Sequence, residues 1–137
     1  MKNKIKSRLA LTCIVMAFIP LAAFSQQEKP KPWPAPAEFK TKANPVKSSA
    51  ASVADGKEAY DKMCASCHGK KGLGDGPKGK LLDTSSGDFS SAAFQGMSDG
   101  ELFWKTKTGR GDMPSYKAKL TDEEIWATVN YMRTLKK

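Results

Sequence analysis

Beyond residue 52, apolar positions recur at helical spacing. Val53, Gly56, Tyr60, Met63 and Cys67 follow one another at steps of three and four. That spacing predicts an amphipathic helix beginning near Ser52 and ending in Cys64-Ala65-Ser66-Cys67-His68. Ser98 with Glu101 three residues on has the form of a capping box, opening a shorter helix that carries Leu102, Phe103 and Trp104 and closes at Gly109. Thr121 with Glu124 repeats the pattern and opens a helix to about Leu135. Its stripe is Ile125, Val129 and Met132, flanked by Trp126 and Leu135. No stretch alternates with period two well enough to be a strand, so the expected fold class is all-α.

The N-terminal third has a different pattern. Lys2, Lys4, Lys6 and Arg8 precede an apolar run from Leu9 to Ile19, then Pro20 and the small-residue pair of Ala23-Phe24-Ser25. These are the three parts of a secretory signal, with cleavage expected before Gln26 and delivery to the periplasm. The alternative is an uncleaved membrane anchor facing the periplasm. The apolar run is shorter than the ~20 residues of a spanning helix, and Pro20 interrupts it. A lipoprotein reading through Cys13 is disfavoured by Thr12 before it and by the apolar run beyond it. Residues 26–53 read as a linker or arm. Alternate prolines in Lys29-Pro30-Lys31-Pro32-Trp33-Pro34-Ala35-Pro36 remove backbone donors and favour a polyproline II path. A plain tether is one expectation; because Trp33 and Phe39 are costly to expose, the other is an arm lying against the domain or a partner. Residues 54–137 remain for one small domain, whose thin core needs a staple.

Charge narrows the partners. The chain has 23 Lys and Arg against 14 Asp and Glu, a formal net charge of +9. Residues 1–25 hold four of the basic residues and no acid, so their removal leaves +5. A modest positive balance suits acidic docking surfaces and electrostatic steering. The lysines are dispersed without an aromatic-interleaved basic motif, which argues against nucleic acid. Contact with a membrane is expected only through redox complexes or an uncleaved anchor.

The chemistry is concentrated in Cys64-Ala65-Ser66-Cys67-His68. Cys-x-x-Cys-His reads as a c-type haem attachment site: two sulfurs one turn apart reach two vinyl groups of one porphyrin, and His68 rises beneath the ring to ligate iron. A thioredoxin-like pair would need a strand–helix context absent here. A structural zinc site needs four ligands, and the chain has three cysteines and one histidine in total. A disulfide pair and an incomplete metal site remain as lesser readings. One motif and no internal repeat imply one haem, covalent through Cys64 and Cys67. It also supplies the missing staple, an apolar plate around which three to five short helices would pack.

A second axial ligand is sought in Gly109-Arg110-Gly111-Asp112-Met113-Pro114-Ser115-Tyr116. Met113, on a glycine-flanked loop stiffened by Pro114, is well placed to present its thioether. Met63 abuts the attachment side, and Met132 lies on an apolar stripe where Met usually fills core. Met97 is the closest rival but lacks the Met-Pro context. The alternative is a five-coordinate iron with Met113 as a packing residue.

With these residues placed, the chain resembles bacterial monohaem class I c-type cytochromes over residues 54–137. In that family an N-terminal helix carries Cys-x-x-Cys-His and a Met loop precedes the C-terminal helix. The resemblance implies that the first and last helices cross with Gly56, Tyr60 and Tyr131 at the contact. It implies that the Pro77 carbonyl accepts a hydrogen bond from the His68 ring, fixing its tautomer. It also implies polar or aromatic partners for the haem propionates, for which Trp104 and Arg110 are candidates. Segment 78–97 departs from the long central loop of mitochondrial-type members, and no residue role is carried over to it. The arm Trp33-Pro34-Ala35-Pro36 followed by Asn44-Pro45-Val46 resembles leaders before similar bacterial domains.

The function expected from this set is electron transfer by a periplasmic His68/Met113-ligated carrier, with no catalytic residues. The exposed haem edge would dock a redox partner, with Lys70, Lys71, Lys78 and Lys80 contributing charge. Two alternatives stand beside it: a haem-bearing subunit of a larger respiratory or dehydrogenase complex, clasped by the Pro-rich arm, and a gas-binding or peroxidatic protein with a labile Met113.

Overall fold

The computed structural model describes residues 31–137; the signal sequence expected at residues 1–25, Cys13 and the start of the arm lie outside the described residues. Among the described residues there are six α-helices and no strand: α1 Ala37–Lys40, α2 Ala50–Met63, α3 Ala65–His68, α4 Ala92–Gln95, α5 Asp99–Thr108 and α6 Asp122–Thr134. A single 3-10 turn spans Gly79–Leu81. The all-α expectation holds, with more short helices than the three to five predicted.

The frame is the crossing of α2 and α6. Gly56 lies against α6 so closely that a Cβ there would overlap the Ala127 carbonyl, and it would come within 2.9 Å of the Thr128 nitrogen. Absence of a side chain is what lets the backbones meet. Beside it Tyr60 is fully buried, its ring 5.1 Å from that of Tyr131. The Tyr60 hydroxyl donates to the Gly69 carbonyl at 2.7 Å. The α6 stripe is buried as its periodicity requires, with Ile125 and Val129 at 0% exposure. On its far side Trp126 stacks on Phe103 of α5 at 4.0 Å and 11°.

Three capping boxes start these helices. Ser98–Glu101 and Thr121–Glu124 stand where the sequence places them. The third, Ser49–Ser52, begins α2 earlier than expected, with each hydroxyl accepting from the other's backbone N–H. At Thr121 the N–H and hydroxyl both donate to Glu124, holding its carboxyl below the usual range. A lowered pKa favours the ionised form in the folded state. The box therefore contributes fully above the ordinary carboxylate value of 4.5 and fades as pH falls through the depressed one. Thr121→Ala should cost about 1 kcal/mol in denaturant titrations of the holo-protein at neutral pH. Glu124→Gln should remove the acid-limb dependence that belongs to this pair.

The attachment motif does not continue α2 as predicted. Cys64, at φ −114°, breaks the helix, and the motif forms its own turn, α3. The Cys67 and His68 amides both bond the Cys64 carbonyl, at 3.1 and 2.9 Å.

The arm is no free tether from Lys31 onward. Ala35 is buried, Phe39 of α1 stacks on Phe103 at 6.4 Å, and Ser98 Oγ donates to the Phe39 carbonyl at 3.4 Å. Asn44 Nδ2 donates to Asn130 Oδ1 at 2.9 Å, and Asn130 Nδ2 donates to the Val46 carbonyl at 3.0 Å. The side chain of Arg133 closes the other edge. It donates to Asp99 Oδ1 at 2.8 Å, the Gln95 carbonyl at 3.0 Å and the Met97 carbonyl at 2.5 Å. Segment 89–97 is thereby fastened to α6.

Candidate functional site

A cavity of about 570 Å³ lies between α3, α5 and the loop before α6. Cys64, Cys67, His68 and Met113 all line it. Its wall is completed by Phe89, Phe94, Leu102 and Met132, whose side chains are apolar. Arrangements of this size, largely apolar with a few convergent polar groups, are typical cofactor sites.

Cys64 is buried, and burial pushes its thiol up to about 12, with the nearby Cys67 adding to the effect. A protonated, buried thiol is a poor metal ligand. Among the described residues no three His, Cys, Asp or Glu stand together as a metal cluster. The two cysteines are free thiols rather than a disulfide. The His68 ring lies 4.5 Å from that of Phe89 at 35°, and burial lowers its pKa. Its Nδ1 is buried without a hydrogen-bond partner. The Ser86 backbone is the polar group that acts on the ring in the opposite sense, without satisfying Nδ1 by hydrogen-bond geometry. Pro77, placed here by the family resemblance, is exposed and stands outside the cavity wall. Its turn is held against the back of α3 instead, where the Lys78 amide bonds the Ser66 carbonyl at 2.9 Å.

Met113 is held by a closed turn. Arg110 N–H donates to the Met113 carbonyl at 2.8 Å, and Met113 N–H donates back to the Arg110 carbonyl at 3.0 Å. Gly111, at φ +56°, makes the reversal that a side chain would resist. Downstream, the Tyr116 hydroxyl donates to the Met63 carbonyl at 2.8 Å, tying the loop to the residue before Cys64. Burial pushes that phenol up to about 12, so it remains a donor. Tyr116 is a site residue that sequence reading missed. Met97 and Met132 also line the cavity, but the Met97 sulfur sits 2.8 Å from Lys105 Nζ. That contact occupies the rival thioether.

One wall carries cations. Lys31, Lys105 and Arg110 all face the cavity, and no carboxylate pairs with any of them among the described residues. Burial lowers the Lys105 pKa, the charge of Arg110 adds to that, and Glu101 opposes it. Asp112 lines the same cavity, and the three cations against it leave this edge net positive, which suits an anion. Trp104 is not in the wall: half-buried, it packs behind Trp33, 5.9 Å away, and it is Trp33 that lines the cavity. Apolar walls, two free thiols, an unsatisfied imidazole and an unpaired cationic edge together fit a porphyrin with two propionates. The candidates brought together are Cys64, Cys67, His68, Met113 and Arg110; Pro77 and Trp104 stand apart.

A family model described as "Cytochrome C oxidase, cbb3-type, subunit III" matches residues 51–132. Among solved structures, the chain is similar to the KustC0563 c-type cytochrome, at 33% identity and a TM-score of 0.54, over 61% of this chain and 99% of that one. It is also similar to a chain of the Kuenenia stuttgartiensis reducing HAO-like protein complex Kustc0457/Kustc0458, at 28% identity and a TM-score of 0.63. That match covers 68% of this chain and 47% of the other, so the present chain spans about half its length. No curated protein sequence matches.

Proposed function

The chain belongs to the family of cbb3-type cytochrome c oxidase subunit III, a c-type cytochrome family, and on that premise we propose that it is a periplasmic one-electron carrier. In this reading Cys64 and Cys67 hold one haem c, and His68 and Met113 are its axial ligands. The observation that carries it is the gathering of these four side chains on one apolar cavity. Haem so ligated supplies a site that accepts and returns one electron, at a potential raised by the thioether.

The chain's own residues do the rest. Phe89, Phe94, Leu102 and Met132 keep water from the ring, which disfavours the more highly charged ferric state. The Arg110–Met113 turn and the Tyr116 hydrogen bond hold the thioether in place, so little rearranges when the charge changes. Lys31, Lys105 and Arg110 neutralise the propionates. With His68 and Met113 both holding the iron, no position would be left for a substrate, and the protein would work as an electron carrier. Lys70, Lys71, Lys78 and Lys80 are exposed, as is Leu81 at 83%, and these residues would supply the docking charge for an acidic redox partner.

The second reading, a subunit bound in a larger redox assembly, is favoured by the similarity to a chain of a protein complex. The reading as an exported protein rests on the secretory-signal pattern of residues 1–25. Potentiometric titration of the exported protein should give a single one-electron wave. Met113→Ala should lower its midpoint by tenths of a volt, a part of the about 0.8 V range that axial ligands command. Electron transfer to an acidic partner should slow as salt shortens the Debye length from about 30 Å to about 10 Å. A midpoint unmoved by Met113→Ala would sink the ligand assignment. Elution from the cell extract only with a larger assembly would favour the subunit.

A further inference from the structure

Arg110 does two jobs on opposite sides of its own Cα. Its backbone closes the turn that holds Met113, through the reciprocal pair at 2.8 and 3.0 Å. Its side chain reaches the arm: Nη1 donates to the Pro32 carbonyl at 2.9 Å and Nη2 to the Lys31 carbonyl at 3.0 Å. The guanidinium also lies over the Trp33 ring, 4.8 Å from its centroid. Trp33 is wedged in turn by Trp104 at 5.9 Å and by Lys105 Nζ at 5.8 Å, and it lines the cavity.

The arm is built to be gripped in this way. Prolines at 32 and 34 remove backbone N–H donors from this stretch and favour an extended chain at low entropic cost. Further along, Asn44 anchors the arm to α6. The Met loop has the opposite character. Gly109 and Gly111 flank Arg110 at φ +67° and +56°, so the turn relies on its hydrogen bonds and packing rather than on backbone stiffness. A stiff strap fixed at Asn44 and clasped at Arg110 would give it that stiffness.

We propose that the arm segment Lys31–Pro34 is a strap that holds the Met113 turn on the haem, with Trp33 and Arg110 as its positioning residues. It limits how often the Met113 thioether leaves the iron and how easily an outside ligand takes its place. This deepens the functional reading above and rests on Met113 being a ligand.

The test uses the ferric holo-protein with imidazole as the probe, beside the far-red Met-to-iron absorption band. Trp33→Ala and Arg110→Ala should each bind imidazole about tenfold more tightly than wild type, the scale of losing charged hydrogen bonds or a stacked partner. Both should keep native helix content, since Arg110 is exposed, Trp33 is half-buried, and neither belongs to a helix. Arg110→Lys keeps the charge but loses the two-pronged grip, so it should behave like Arg110→Ala. If the lysine variant instead binds as wild type does, Arg110 acts by charge alone and the strap is refuted. The double variant should be no looser than either single, because the two residues act as one clasp. Unchanged imidazole affinity in Trp33→Ala and Arg110→Ala, with the far-red band present in wild type, overturns the strap alone. A wild-type protein lacking that band overturns the Met113 reading itself.

Discussion

Replacing Cys64 and Cys67 together with serine should leave the exported protein without haem that survives acid extraction, and without a stable fold. Each single variant retains one sulfur and should keep partial attachment. The folding consequence follows from the cavity. Phe89, Phe94, Leu102 and Met132 line about 570 Å³ that the cofactor would fill. At about 24 cal/mol per Å³ of unfilled core, that volume corresponds to on the order of 10 kcal/mol. The figure is an upper bound, because the mouth opens to water, yet it rivals the whole ~5–15 kcal/mol stability of a domain. Circular dichroism and tryptophan fluorescence of the double variant should therefore show an expanded, weakly cooperative state. A native-like, sharply melting apo-protein would contradict the role of haem as part of the core.

Gly56→Val is the second large effect. The new side chain would meet the Ala127 carbonyl and the Thr128 amide, both main-chain atoms inside α6. Neither can move without breaking helix hydrogen bonds, so α2 and α6 must separate and uncover Tyr60, Ile125 and Val129. A loss above ~3 kcal/mol is expected, the upper end for overpacking. In a domain of this size that lowers the melting temperature by about 15 °C or more. Because the obstruction is backbone, Ala127→Gly should give no rescue in the Gly56→Val background. Recovery of stability in that double variant would show that side-chain crowding, not the helix crossing, had been disturbed.

Much of this could be read along the chain because it is local. Ser98–Glu101 and Thr121–Glu124 are capping boxes written in adjacent residues, and α5 and α6 begin where they say. The close approach at Gly56 and the aromatic pair of Tyr60 and Tyr131 also stand where the family resemblance puts them. The start of α2 was less legible because Ser52 replaces the usual Glu or Gln of the box. The break at Cys64 leaves no mark in apolar spacing, since both turns keep the same face. The arm was legible in part: the cost of exposing Trp33 and Phe39 pointed to docking, but prolines report only the path of a backbone, and the partners lie far along the chain, as Asn130 does, 86 residues from Asn44. For the same reason Trp33 could not be told from Trp104 as the tryptophan lining the cavity. Tyr116, bonded to a carbonyl 53 residues away, and Lys105, a lysine on an ordinary helix face, carried no local signal.

The central claim, a covalent haem held between His68 and Met113, is tested most directly by absorption spectra of the exported protein beside Met113→Ala. Haem that resists acid extraction, with a weak far-red band in the ferric wild type that vanishes in the variant, is the predicted result. A high-spin ferric wild type, or a band that survives Met113→Ala, would contradict it and turn attention to Met97 or to an open coordination site.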